Sequence, residues 1–292
     1  MGLRNLALQA RVAATAPFRR ARLRELCQQG AAPMFVPFYH RVADKHPNDW
    51  TISCQEFERH VRHCKEHFEP VGLDEVQRRV REGVSNRPTI TFTFDDGYAE
   101  NCDFALPLLI EQGIPTVYFT SINFVKEQRP FPHDVEAGMG LPVNTEAQIR
   151  EMADMGIEIG LHTREHVDFS KVHDAAEIRS EIIEAKDELE QMIGRAVRYF
   201  AFPYGLPKQL TEPAIEAVHE AGMMGFTSAF GAYNVPGRDA FHIRRFHGDP
   251  EFSRLLNWLS FDQRKLDREP TIPYVLPPAT SFQAASNTMP QL

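Results

Sequence analysis

Seven short runs of apolar and β-branched residues, each separated from the next by a mostly amphipathic stretch, set the strongest limit on what this chain can fold into. The runs are residues 34–39, 89–94, 116–120, 157–161, 199–202, 225–228 and 241–246. Helix-like stretches lie near 54–67, 100–113, 145–155, 175–193, 211–222 and, after the last run, 250–260. Ser53 with Glu56 three residues on is suited to cap one of these helices, and Asn144 or Thr145 another. Gly113, Gly156, Gly194 and Gly222 stand where a helix should stop before a strand. Strands alternating with helices of this length imply parallel β-α units, and seven of them predict a closed or nearly closed β/α barrel. No G-x-G-x-x-G follows the first run, which argues against an open dinucleotide-binding sheet.

The ends differ from this middle. Residues 1–30 contain six arginines and a single acidic residue, Glu25, with Leu3, Leu6, Ala7, Ala10 and Ala13 at helical spacing. Such a basic segment suits an anionic membrane surface, and it also suits a helix packed on the outside of the domain. It has no continuous apolar core of the kind a secretory signal carries, so a cytoplasmic protein is expected, with the outside-packed helix the favoured reading of residues 1–30 and peripheral membrane contact the alternative. From Glu269 to Leu292 the chain is rich in Pro, Ser, Thr and Ala without a period, and a mobile tail is expected there. The barrel is thus assigned to residues 31–268. A formal net charge of −8 over 292 residues disfavours a nucleic-acid partner. The four cysteines form no C-x-x-C pair, and a reduced interior accounts for them.

On this map the polar residues choose one end. His40 follows the first strand, Asp95 and Asp96 the second, His162 the fourth, Pro203-Tyr204-Gly205 the fifth and His247 the seventh. The carboxyl ends of barrel strands are where active sites form, because the loops there converge on one mouth. Asp95-Asp96-Gly97 alone is usually a turn, and His-x-x-x-His alone a solvated helix face. His63 and His67 have that same spacing on a helix whose buried stripe is already supplied by Phe57, Val61, Cys64 and Phe68. His162 and His166, four apart as on one helical turn, combine with Asp96 into a set of two imidazoles and one carboxylate that leaves positions open on a catalytic metal. Zn²⁺ fits best, and Co²⁺, Ni²⁺, Mn²⁺ or Fe²⁺ also suit these ligands. The same five residues satisfy the H-x-x-E-H protease pattern. That pattern needs a long helix, whereas Ile157–Leu161 alternates like a strand, so Glu165 is read as a supporting or surface residue.

Together these motifs resemble the NodB-like polysaccharide deacetylases, carbohydrate esterase family four. Thr93-Phe94-Asp95-Asp96-Gly97 matches that family's first motif, His162-Thr163-Arg164-Glu165-His166 its second, and Phe202-Pro203-Tyr204-Gly205 its third. Phe38-Tyr39-His40-Arg41-Val42 and Ile114-Pro115-Thr116-Val117-Tyr118-Phe119 match one branch of it. The resemblance implies an irregular seven-stranded barrel and a metal-dependent hydrolysis of N-acetyl groups on an amino-sugar glycan or its precursor. It implies one divalent ion on Asp96, His162 and His166, and Asp95 as general base toward a metal-activated water. The backbone N–H of Tyr204 would hold the oxyanion, and His40 would contact substrate. The sequence departs from the family at the general acid, where the usual Leu-x-His is absent and His247, with His242 second, takes its place. It departs again at Ala201, where the family often has the arginine that orients the catalytic Asp. Arg244 or Arg245 would serve instead, and Arg245 is the one assigned to the site. The Asp-x-x-Asp-Trp fourth motif is also missing. A non-sugar amide or cyclic ureide as substrate, or a carbohydrate-binding pseudoenzyme, are the competing expectations. The loop from Phe124 to Val143 is expected to face the substrate.

Overall fold

The computed structural model describes residues 3–276. Eight parallel strands form one curled sheet: β1 (Pro37–Tyr39), β2 (Phe92–Phe94), β3 (Thr116–Thr120), β4 (Glu158–Leu161), β5 (Tyr199–Ala201), β6 (Gly225–Thr227), β7 (His242–Ile243) and β8 (Phe246–His247). Their order in the sheet is β7-β6-β5-β4-β3-β2-β1-β8. The two outermost strands are halves of the single run 242–247. β7 pairs with β6, Phe226 opposite His242, and β8 pairs with β1, Phe246 opposite Pro37. One short segment therefore touches both edges of the sheet and closes the barrel, and Arg244 and Arg245 sit where it passes from one edge to the other. The expected seven-stranded barrel is thereby realised, its last strand divided in two. A small parallel sheet of Met34–Phe35, Thr89–Ile90 and Glu69–Pro70 extends the amino ends of the first two strands.

Local sequence explains most of the helices. Ser53 accepts from the Glu56 amide at the start of Cys54–His67, and Thr145 with Gln148 forms a capping box on Glu146–Asp154. A helix absent from the sequence expectations, Leu73–Glu82, buries Leu73, Val76 and Val80 and ends at Gly83 in the left-handed region. Its dense charge hides an apolar spacing of three, four and seven. The stretch expected as one loop after β3 contains two short helices, Ile122–Glu127 and Pro132–Glu136; Phe124 stacks on Phe131, which sits tilted against Tyr98. Gly160 in β4 answers a packing need, since a Cβ there would collide with the Phe119 ring of β3. All four cysteines are free.

The N-terminal helix α1 (Leu3–Gln28) packs on the outside against Phe252–Leu259, with Leu26 buried while Leu6 and Phe18 face solvent. Its anchor is Arg19, 5% exposed, which donates to Asn257 Oδ1 at 3.1 Å and Ser260 Oγ at 2.7 Å and lies 3.5 Å from Asp262. Arg11 reaches the same carboxylate at 3.6 Å. The Pro-rich segment beginning at Glu269 continues the packing as far as Leu276. Glu269 is paired with Arg238 at 3.0 Å and Arg244 at 2.8 Å, and Ile272 and Tyr274 lie against the core. Residues 277–292 of the expected tail lie outside the described residues. Among the described residues no helix is long and apolar enough to cross a membrane.

Hydrogen bonds from Arg264, with Arg19 nearby, hold the Asp262 carboxyl down at about 2 from its ordinary 3.8. A depressed carboxylate stabilises the fold above its ordinary pKa and loses that contribution as pH falls toward the folded value. Asp262→Asn is therefore expected to cost about 1–2 kcal/mol at pH 7. It should also flatten the acid limb of stability between pH 3.8 and about 2. Urea unfolding across that window measures both, and an unchanged limb would show that the Arg264 and Arg19 contacts do not hold the Asp262 carboxylate.

Candidate metal centre

The barrel delivers its functional groups by extending each strand one residue past the ladder. The Asp95 amide donates to Tyr39 O at 2.9 Å and the His162 amide to Thr120 O at 2.9 Å. Beyond that point the backbone turns sharply. Asp96 has φ of 73°, and Gly97 N donates to Asp95 O at 2.9 Å, a three-residue γ-turn with Asp96 at its centre. Tyr204 repeats the device, with φ of 60° between Pro203 O and Gly205 N at 2.7 Å. The turn at Asp96 swings two consecutive carboxylates apart, Asp95 into the barrel wall and Asp96 toward the mouth. Of the six non-glycine residues with positive φ among those described, Asp96, Thr163, His166 and Tyr204 all belong to this mouth. Backbone strain of that kind persists where the surroundings over-determine it, and it concentrates at functional sites.

Asp96 Oδ1 lies 3.4 Å from His162 Nε2 and 3.3 Å from His166 Nε2. The three donor atoms are within 4.8 Å of one another, and no other such group occurs among the described residues. His63 and His67 stack on each other at 4.2 Å, apart from this group. The spacing of His162 and His166 does not come from a helix. The segment after β4 is a loop, with Thr163 at φ 66° and His166 at φ 54°, and two left-handed residues replace the expected helical turn. That loop also removes the long helix an H-x-x-E-H protease requires. Glu165 turns away to Asn123 and Arg129.

The ring of His162 has a fixed tautomer. Its Nδ1 lies 2.7 Å from Ala201 O, and a carbonyl only accepts, so Nδ1 bears a proton and Nε2, on the side of Asp96, is the nitrogen left to coordinate a cation. Asp96 Oδ1 is buried without a hydrogen-bond donor of its own. Burial would raise the Asp96 carboxyl, but the two imidazoles outweigh it and hold it well below the ordinary value. Burial would likewise lower His162, and Asp96 raises it instead. Two imidazole nitrogens and a starved carboxylate oxygen converging at these distances fit a divalent cation of borderline softness.

Asp95 is tied back rather than aimed at the group. Arg245, fully buried, donates to Asp95 Oδ1 at 2.7 Å and Oδ2 at 2.8 Å, to Thr93 Oγ1 at 3.1 Å and to Ser228 O at 3.0 Å. Burial alone would raise the Asp95 carboxyl; the charge of Arg245, followed by His162, brings it below the ordinary value. Arg244 takes the opposite side of the closing segment and pairs with Glu269. Ala201, at the position of the family's frequent arginine, contributes only its carbonyl to His162.

Around these groups lies a cavity of about 270 Å³ walled by Phe38, His40, Trp50, His133, Phe202 and Tyr204. His40 lies on this wall with Nδ1 buried and unpartnered. His247 stands behind it, its ring 6.0 Å from His40 and 5.3 Å from Phe38, and burial pushes it down to about 4. His242 is buried against Phe226 and Ser228, away from the cavity wall. Trp50 and His133 have no counterpart among the sequence candidates. The loop that carries Trp50 is held by buried Arg41, which donates to the carbonyls of Lys45 and His46 and to Thr51 Oγ1. Tyr98 gives its proton to Asp134 at 2.7 Å, so His133 Nε2, 3.0 Å away, donates to Tyr98. Only the position of His133 in the loop after β3 gave a hint of this.

Comparison with known proteins agrees with the geometry. Residues 82–226 match the family described as polysaccharide deacetylase. A protein named putative polysaccharide deacetylase YxkH, from Bacillus subtilis (strain 168), is 24% identical over 204 residues. That match covers 69% of this chain and 66% of the relative, just under two thirds of its length. The fold is similar to that of IcaB from Ammonifex degensii, with a TM-score of 0.65 and 23% identity over 78% of this chain and 97% of the other. It is similar also to the Streptococcus pyogenes deacetylase PplD in complex with acetate, TM-score 0.65 and 15% identity, covering 80% of this chain and 99% of that one. Residues 82–226 place the chain in the polysaccharide deacetylase family, and the fold around them is the one shared with these solved structures.

Proposed function

We propose that this protein is a metal-dependent hydrolase that removes N-acetyl groups from an amino-sugar glycan or its precursor. The observation that carries the reading is the pairing, in one cavity, of an Asp96-His162-His166 ligand group with a second carboxylate gripped by arginine. Asp96, His162 and His166 would hold one divalent ion, zinc being the best match to two imidazoles and a carboxylate. When bound, the ion supplies a lowered water pKa and polarises the acetamide carbonyl.

The chain's own groups would do the rest. Asp95, ionised and oriented by Arg245, keeps a lone pair on each oxygen for a proton. The Tyr204 amide, at the centre of its γ-turn, has no hydrogen-bond acceptor among the described residues and would donate to the developing oxyanion. For the proton that the departing amine needs, the wall position of His40 favours it over His247, which His40 screens from the cavity. Trp50, 45% exposed, and Tyr204, 57% exposed, present ring faces at the mouth suited to the apolar face of a sugar.

The test is acetate release from N-acetylated oligosaccharides by the full chain, stripped with chelator and then resupplied with Zn²⁺ or Co²⁺. Release that depends on the ion is expected. Cleavage of small amides alone would transfer the chemistry to another substrate, and bound ion without any product would favour a pseudoenzyme. In the same assay His40→Asn is expected to lose about 10²-fold in kcat. His247→Asn should lose less than about tenfold, and the reverse order would return the acid to His247.

A further inference from the structure

The loop that carries both imidazoles makes no regular secondary structure, so its shape must come from what surrounds it. On one side its carbonyls are taken up: Ser121 Oγ donates to His162 O at 2.6 Å, Ile122 N to Thr163 O at 3.2 Å and Asn123 N to Arg164 O at 3.1 Å. On the other side two successive amides, Arg164 N and Glu165 N, converge on a single carboxylate oxygen, Glu181 Oε2, at 3.0 and 2.9 Å. Consecutive amides following a left-handed residue form a concave nest for an anion, and Thr163 supplies that residue.

Glu181 is 5% exposed and comes from an unusual place. The long helical stretch opens with Ala175–Arg179, passes through a π-helical segment at Ser180–Glu184 and resumes as Ala185–Ile193. A π segment inserts one residue into the turn, re-aims the side chains within it, and is frequent at functional sites. Here it points Glu181 inward at the loop and leaves Ser180 O 3.3 Å from Arg164 Nε.

We propose that Glu181 is a positioning residue for the metal. Its carboxylate fixes the Thr163-Arg164-Glu165 backbone and thereby sets the approach of His166 to His162 and Asp96. The inference rests on the metal-binding reading above. Its mechanism is geometric: a chelate of three side chains binds tightly only when they are pre-arranged, and supporting partners of ligand residues tune affinity for that reason.

The experiment measures zinc affinity of the full chain by competition with a chromogenic chelator, at a temperature well below the unfolding midpoint of the metal-free protein. Glu181→Ala is expected to weaken zinc binding roughly 10–100-fold. Glu181→Gln, whose amide oxygen has lone pairs for both N–H groups, should stay within about fivefold of wild type. Leu189→Ala, a buried residue on the same helical stretch, is the control. It should lower Tm and leave zinc affinity unchanged. Affinity of Glu181→Ala within twofold of wild type would overturn the proposal, as would a loss that Leu189→Ala reproduces. Should Glu181→Ala fail to fold, Glu181→Asp decides, because withdrawing the carboxylate by one methylene should still cost roughly tenfold, and no loss would overturn the assignment. Wild-type protein that binds no divalent ion would remove the metal reading itself, an outcome separate from any difference among the Glu181 variants.

Discussion

Asp95→Asn is expected to bind zinc as tightly as the wild-type chain and to release acetate about 10²–10⁴-fold more slowly, the range a positioned general base contributes. The separation of these effects follows from the γ-turn at Asp96, which sends the two carboxylates to different tasks. Asp96 meets His162 and His166, whereas both oxygens of Asp95 face the guanidinium of Arg245. An Asn at position 95 leaves the three ligands untouched but has no carboxylate lone pair to receive a proton. It also turns an amide N–H₂ toward Arg245, so the variant must be assayed where it is fully folded, with zinc content measured on the same sample. Loss of zinc together with activity would make Asp95 part of the ion's support. Undiminished acetate release would remove it as the base.

The sequence carried the barrel because strand and helix periods differ and because each strand ended in a chemically marked loop. Asp95, Asp96, His162 and Tyr204 could be placed on one rim since strand ends share a direction in a parallel barrel. What could not be read were features set by contacts distant along the chain. Whether Arg244 or Arg245 faces inward depends on where the segment 242–247 changes edges, a matter of closure rather than of pattern. The approach of His166 to His162 looked helical from a four-residue spacing, yet left-handed residues at Thr163 and His166 produce it, and neither is a glycine that would announce such backbone. Trp50 is brought to the cavity by a loop tied to Arg41, and Glu181 to the back of the His162–His166 loop by a π segment, and neither leaves a recognisable trace in spacing. The helix Leu73–Glu82 was legible in principle, its apolar positions correctly spaced beneath a charged exterior.

Arg245→Met is expected to destabilise the fold by about 3–5 kcal/mol, because it strands the buried Asp95 carboxylate without its counter-charge. The guanidinium also fills space that polar neighbours cannot. It lies 4.8 Å above the Phe38 ring and 5.3 Å from Phe119, and it joins Thr93 of β2 to Ser228 at the end of β6, spanning the barrel where its closing segment switches edges. A methionine can replace part of that packing but none of the four hydrogen bonds. Combining Arg245→Met with Asp95→Asn removes both charges, so the double variant should be more stable than the sum of the single losses by about 1–3 kcal/mol. Urea unfolding of the four proteins gives that coupling directly. If the losses merely add, the pair is not an energetic unit, and Arg245 acts through packing alone. If they couple as expected, the strand-closing arginine serves to keep Asp95 ionised in the buried wall of the cavity. The cost of holding that charge is then met by the same contact that closes the barrel.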